Sequence, residues 1–341
     1  MKQINVAIVG FGGIAKVHHS AYLSLIREGF PVRLVAVFDL DAAKFSETAS
    51  INLGNRVEPL SDEVHRYTDL DAMLATEDID VCDVCLPTFL HKEMTVKLLR
   101  AGKHVFVEKP MALNSADCFE MVREAEERGL RLMVGQCLRF DPNYRYLKGL
   151  IDGNTYGALR HLRMYRNSEY PHWGAAKWFE QTDKCGGCIL DTHIHDIDMA
   201  RFLLGEPDMV STVAYAKVPH CELVDTRMFF GGLPVIAECT WDEAQAVSFR
   251  AGFEARFERA SVIYENDEIR VYEGTAEYFV PELPRYDRVV EELRAICTLA
   301  AEPTVQNDMN PPESAAMSVR LVEYIKKSAE AGGATVMARE A

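Results

Sequence analysis

The stretch Ile4-Asn5-Val6-Ala7-Ile8-Val9-Gly10-Phe11-Gly12-Gly13-Ile14-Ala15 decides how the first half of the chain is read. Ile4–Val9 is a short run rich in β-branched residues, as a buried strand requires. Ala15–Arg27 reads as a helix. The six residues Gly10–Ala15 between them have the spacing GxGxxA. The first glycine permits a tight turn, and the second lets main-chain N–H groups approach a pyrophosphate. The small third residue, Ala15, lets the helix pack closely on the strand. The helix N-terminus then offers free N–H groups and partial positive charge to phosphates. Any tight turn favours glycine, so the position at the first strand–helix junction is what makes this a dinucleotide signal.

Outward from that turn, strand and helix patterns alternate. Leu34–Phe38, Asp80–Leu86, Val105–Val107 and Leu130–Val134 read as strands. A helix from about Asp41, one near His91–Leu99 and one over Ser115–Arg128 lie between them. Asn52–Tyr67 has no clear pattern. Alternation of this kind predicts a mostly parallel sheet covered on both faces. Asp39 closes the second strand. A carboxylate there accepts the hydroxyls of an adenosine ribose and repels a 2′-phosphate, and no arginine follows it. This favours NAD over NADP. The competing role, an acidic helix cap, suits Asp41 better.

The grammar changes after residue 137. Leu159–Tyr165, Met209–Ala216, Thr226–Phe230, Val235–Thr240, Phe249–Phe257 and Ser261–Tyr264 follow one another as strands. Gly231–Gly232 makes a hairpin turn between two of them. Asp287–Leu299 and Glu313–Ala331 read as helices. The expectation is an α/β chain of two domains. Residues 1–137 form an NAD-binding Rossmann domain. Residues 138–341 form an α+β domain for substrate and oligomer contacts, with a large open, mostly antiparallel sheet.

Composition limits the function. The 341 residues are 48% hydrophobic and carry a formal net charge of −15. Nucleic-acid and anionic-lipid surfaces need basic patches, so a small-molecule partner is favoured. No signal pattern precedes Ile4 and no stretch has the roughly 18–20 apolar residues of a membrane span. The expected location is cytoplasmic, and the nine cysteines are expected as reduced thiols. Cys82–Cys85 and Cys185–Cys188 have CxxC spacing. However, residues three apart on a strand face opposite sides, which opposes chelation by the first pair. No metal is assigned.

Two stretches carry chemistry. Glu108-Lys109-Pro110 lies at the C-terminal end of a strand, where open α/β sheets place their ligand crevice. Proline keeps Lys109 out of the helical region. A partly desolvated lysine beside a cationic ring exchanges a proton near neutral pH; a surface Glu–Lys turn is the ordinary alternative. The second stretch runs from Gly186 to Asp198. Read as one helix, it stripes Leu190, Ile194, Ile197, Ala200 and Leu204 along an apolar face. Asp191, His195 and Asp198 then share a neighbouring face at i, i+4 and i+7. A carboxylate one turn from a histidine fixes its tautomer, as a proton relay needs. His193 falls toward the apolar stripe and reads as a packed histidine.

Together these segments resemble the glucose–fructose oxidoreductase, inositol dehydrogenase and rhizopine-catabolism superfamily. The resemblance rests on Gly10–Ala15, Pro87–His91, Ala101–Val105, Glu108–Pro110, Arg139–Pro142 and Gly186–Gly205, and is closest to the inositol dehydrogenase branch. It implies catalytic roles for Lys109, Asp191 and His195. It also implies NAD contacts from Gly10, Phe11, Gly12, Gly13, Ile14, Asp39, Pro87, Thr88, His91, Glu108 and Lys109. The implied activity is hydride transfer between nicotinamide and a hydroxyl-bearing carbon of a sugar or cyclic polyol. The implied assembly is a homodimer or homotetramer through the C-terminal sheet. Two positions depart from the pattern: Cys188 where a third glycine is common, and His193 where a small or hydroxyl residue is usual. Two other readings stay open. One is an enzyme that uses NAD redox transiently in elimination or deglycosylation. The other is a non-catalytic NAD-responsive regulator, which has no need of the three acid/base residues. Trp173 and Trp178, in the region Tyr170–Phe179, either stack on a sugar ring or simply pack.

Overall fold

The computed structural model describes residues 2–47, 58–172, 175–216 and 222–339. Trp173 and residues 52–57 of the patternless stretch lie outside these residues. The chain divides into two compact units. The first comprises Met1–Phe140 and Tyr286–Ala316, the second Asp141–Arg285 and Met317–Ala341.

The first unit is a parallel sheet of six strands: β1 (Ile4–Val9), β2 (Val32–Phe38), β3 (His65–Tyr67), β4 (Val81–Val84), β5 (His104–Val107) and β6 (Leu132–Val134). Their order is β3-β2-β1-β4-β5-β6. Chain order reverses between β1 and β4, which creates the crevice where such sheets take ligands. The crossovers are α1 (Gly13–Arg27), α2 (Leu70–Thr76), α3 (Thr88–Arg100) and α4 (Ser115–Glu127). The helix expected from Asp41 is only a 3₁₀ turn over Ala42–Phe45, capped by the Asp41 carboxylate on the Ala43 N–H at 3.0 Å.

The second unit begins with α5 (Pro142–Asp152) and holds an eight-stranded sheet. Its strands are β7 (Leu159–Asn167), β8 (Met209–Ala216), β9 (Glu222–Phe230), β10 (Leu233–Thr240), β11 (Arg250–Phe257), β12 (Ala260–Glu265), β13 (Glu268–Glu273) and β14 (Val336–Met337). The order is β13-β12-β11-β7-β10-β9-β8-β14. Every pairing is antiparallel except β10 with β7. The hairpin at Gly231–Gly232 pairs Phe230 with Leu233, and both glycines have positive φ. The described residues between β7 and β8 include a 3₁₀ turn over Ala175–Glu180 and the helices α6 (Thr182–Cys185), α7 (Cys188–Asp191) and α8 (Ile194–Leu204).

The expected division at residue 137 differs from the compact units in one substantial respect. Helix α9 (Arg288–Ala301) belongs to the first unit, although it follows the second in sequence. Val290, Leu293, Ile296, Cys297 and Leu299 of α9 share one core with Tyr22 and Leu25 of α1 and with Ile4, Val6 and Ile8 of β1. Burial of each large apolar side chain contributes about 1.5–3 kcal/mol, so this face holds α9 there. The last long helix, α10 (Pro312–Glu330), starts in the first unit and continues into the second.

Candidate functional site

The glycine turn has the geometry a pyrophosphate requires. Gly10 has φ +89°, and a Cβ there would lie 2.7 Å from Leu86 Cδ2 and 2.8 Å from the Cys85 carbonyl oxygen. A side chain at this position would thus strike the end of β4. Gly12 faces open space and is the N-cap of α1 with no side chain capping it. The first-turn N–H groups are therefore left for an anionic ligand. Half-buried Asp39 accepts from the Phe11 N–H at 2.8 Å and the Asp41 N–H at 2.9 Å. Its carboxylate thus fastens the turn to the end of β2 while keeping lone pairs for ribose hydroxyls. These residues fit a dinucleotide.

At the ends of β4 and β5 the residues carried over from the resemblance separate in kind. Pro87 is the N-cap of α3, and Thr88 is buried. His91 is 1% exposed, with Nδ1 2.8 Å from the Pro110 carbonyl and Nε2 2.7 Å from the Leu86 carbonyl. Burial lowers its pKa. A neutral ring donates to one of these carbonyls at a time, and in either case it holds main chain. His91 thus braces the main chain at the ends of β4 and β5. Lys109 is half-buried, and its main-chain N–H donates to Glu108 Oε2 at 3.0 Å.

Glu108 itself is buried, and a cluster that the sequence did not reveal lies behind it. His18 of α1 places Nε2 3.0 Å from Glu108 Oε1 and Nδ1 2.9 Å from Asp83 Oδ2. The Cys85 thiol lies 3.3 Å from the same Nδ1. Glu292 of α9 approaches this group, and its Oε2 has no hydrogen-bond partner among the described residues. Burial pushes the Glu292 carboxyl well up, with Glu108 and Asp83 adding to it. His18 lies well above its usual value: burial lowers it, but Asp83 and Cys85 together outweigh that. A proton on each ring nitrogen serves Asp83 and Glu108, and no metal is assigned to these groups. The only sequence signal was a histidine on a helix face that is otherwise mostly apolar, with its partners distant in the chain.

The second unit carries Asp191 and His195, both half-buried. They do not lie on one continuous helix. The His193 N–H reaches back to the Cys188 carbonyl at 2.9 Å, and the His195 N–H to the Thr192 carbonyl at 3.2 Å. This irregularity separates α7 from α8. It is held from outside, because the Trp241 indole N–H donates to Thr192 Oγ1 at 2.7 Å. His193 is fully buried with Nε2 2.9 Å from Thr226 Oγ1, as a packed histidine should be. Burial lowers its pKa to about 3. Asp198 departs from the expected face: it is buried and accepts from Ser318 at 2.6 Å. Asp196, not singled out in the sequence, is buried against Arg166.

The four CxxC cysteines are free thiols, and all are buried. Cys82 and Cys85 are both buried, and burial raises the Cys82 thiol to about 12. Cys188 Sγ lies 3.2 Å from Cys239 Sγ, whereas Cys185 Sγ reaches the Phe179 carbonyl at 3.4 Å. Trp178 stacks on Phe179 with ring centroids 4.0 Å apart, beside the Tyr170, Phe179 and Trp241 cluster.

Comparison with known proteins agrees with this architecture. A family model described as an oxidoreductase family with an NAD-binding Rossmann fold matches residues 4–136, and one described as a GFO/IDH/MocA C-terminal domain matches residues 144–263. The 2,7-anhydro-N-acetylneuraminate hydratase of Mediterraneibacter gnavus is 33% identical over 64% of this chain and 54% of its own length. The inositol 2-dehydrogenase of Rhizobium meliloti is 33% identical over 63% of this chain and 59% of its own length. The chain thus spans little more than half the length of these curated relatives. A levoglucosan dehydrogenase solved in complex with NADH and levoglucosan has the same fold, with a TM-score of 0.84. It is 19% identical, with 99% of this chain and 100% of that chain covered.

Proposed function

Because this chain belongs to the GFO/IDH/MocA oxidoreductase family, we propose that it is an NAD-dependent dehydrogenase of a sugar or cyclic polyol. The observation that carries this reading is Lys109, set at the C-terminal end of β5 in an NAD-binding Rossmann sheet. NAD, when bound, supplies the hydride acceptor. Gly10, Phe11, Gly12, Gly13 and Ile14 would hold its pyrophosphate, and Asp39 would take the ribose hydroxyls. Pro87, Thr88 and Glu108 would complete its site. Lys109 and His195 handle the proton of the substrate hydroxyl, with Asp191 orienting His195 or the substrate. Relatives named for inositol support the polyol class. The reading also carries a cytoplasmic location and a homodimer or homotetramer through the C-terminal sheet, whose Val213, Tyr215 and Leu223 are exposed. A panel of inositols, aldoses and sugar acids with NAD, followed at the NADH absorbance, is the test. NADH formation with at least one of them is expected.

The hydratase relative supports a second reading, in which NAD redox is transient within an elimination or hydration. Substrate consumption with no net NADH would select that reading over the first.

A further inference from the structure

We propose that His18 is a positioning residue for Lys109, a buried imidazolium that fixes Glu108 and thereby the course of the main chain at Lys109. This rests on the reading of Lys109 as a proton-transfer group. The argument begins with geometry. His18 is fully buried, and each ring nitrogen lies within 3.0 Å of a carboxylate oxygen. A carboxylate oxygen accepts, so a ring with a proton on each nitrogen serves both partners at once. Glu108 then has its two oxygens assigned: Oε1 to His18, Oε2 to the Lys109 N–H. A third constraint is steric. A Cβ at Gly135 would lie 3.0 Å from Glu108 Oε1, so the carboxyl fills the space that glycine leaves at the end of β6.

The groups around His18 come from several elements of the first unit. β4 supplies Asp83, Cys85 follows its end, the end of β5 supplies Glu108, and α9 supplies Glu292. Tyr22 lies one turn along α1 from His18, and the Phe106 ring meets the imidazole edge at 5.6 Å. Three buried carboxyls and one imidazolium cannot all be charged without a large desolvation cost. Glu292 resolves this by keeping its proton, as the upward push on its carboxyl indicates. His18 then bridges Asp83 and Glu108, with Lys109 next in line.

The test uses the full chain. His18→Gln removes the double donor, and Gly135→Ala crowds Glu108 while leaving all charges in place. Both are expected to lower kcat about tenfold or more with the best polyol of the panel, since small misplacement of a reacting group is costly. NADH affinity, read by nicotinamide fluorescence, should stay within about threefold, because the pyrophosphate turn is untouched. Rescue of His18→Gln is not expected from added imidazole, since the site is closed to solvent. One further measurement needs no substrate. Ring ¹⁵N shifts of His18 in the wild type should report an imidazolium at pH 7.5. A neutral imidazole would overturn the proposal even if His18→Gln fails to fold. Unchanged kcat in both variants, with Lys109→Ala inactive, defeats this proposal alone. An active Lys109→Ala instead defeats the assignment on which it rests.

Discussion

Arg166 grips Asp196 through two nitrogens, Nε at 3.2 Å from Oδ2 and a terminal nitrogen at 3.1 Å from Oδ1, and Asp196 directly follows His195. Both residues are buried, and burial raises the Asp196 carboxyl while Arg166 draws it down. The pair joins β7 to the first turn of α8. Breaking a buried pair by removing one member strands the other charge, at a cost of about 3–5 kcal/mol. Asp196→Ala should therefore shift the denaturant midpoint strongly downward. Arg166→Met with Asp196→Leu should recover a substantial part of the loss. Equal destabilisation in the single and double variants would show that packing, and not the stranded charge, dominates.

Cofactor preference follows from Asp39. NAD should bind more tightly than NADP in isothermal titration, because a carboxylate at the end of β2 repels a 2′-phosphate. Asp39→Ala removes that repulsion and should narrow the gap. It also frees the Phe11 and Asp41 N–H groups that the carboxylate now holds. Some loss of NAD affinity is therefore expected alongside. Tighter binding of NADP by the wild type would remove Asp39 from this role.

Lys109→Ala and His195→Ala should each lower kcat by about 10²-fold or more, the scale of a positioned acid or base. Asp191→Asn should lower kcat/KM through lost orientation of His195 or lost substrate contacts. NADH affinity should persist in Lys109→Ala. Near-normal turnover in either alanine variant would take that residue out of the reaction.

Stability should fall at both ends of the pH range, for separate reasons. His193 is held neutral at about 3 in the fold, against about 6.5 when unfolded. Its contribution is complete above pH 6.5 and is lost as pH falls, by about 1.4 kcal/mol per pH unit at most. His18 and Glu292 are both raised in the fold. Their contributions are complete below their unfolded values and disappear as pH rises through the folded ones. Thermal unfolding of His193→Asn should show a shallower acid limb, and Glu292→Gln a shallower alkaline limb. Limbs parallel to the wild type would assign the pH dependence elsewhere.

The first unit was largely legible because its signals are local. A strand, a glycine turn and a helix declare themselves within Ile4–Arg27, and Asp39 falls where the second strand ends. The antiparallel strands of the second unit announced themselves the same way, although β13 and β14 were missed. What failed was rotation and destination. Nothing at Thr192 or His193 marks a helix break, since neither is glycine or proline. Trp241, just past the end of β10, and Thr226 of β9 hold those residues in place. A continuous helical wheel therefore put Asp198 beside His195, whereas the structure turns it inward to Ser318. His18 was passed over because its partners, Asp83, Glu108 and Glu292, are scattered along the sequence. Periodicity located α9 but gives no address for an apolar face.

That address has a consequence for synthesis and for truncation. The six-stranded sheet is complete once Val134 has emerged, yet its core still lacks Val290, Leu293 and Ile296. During translation, the nascent sheet must persist with Tyr22 and Leu25 uncovered while residues 135–289, about 155 in all, are made and folded. Half-finished apolar faces of this kind are what holdase chaperones bind. A fragment ending at residue 140 should accordingly be sticky and weakly structured, with strong binding of a hydrophobic dye. Supplying residues 286–316 as a separate peptide should quench that binding, much as a missing keystone settles an arch.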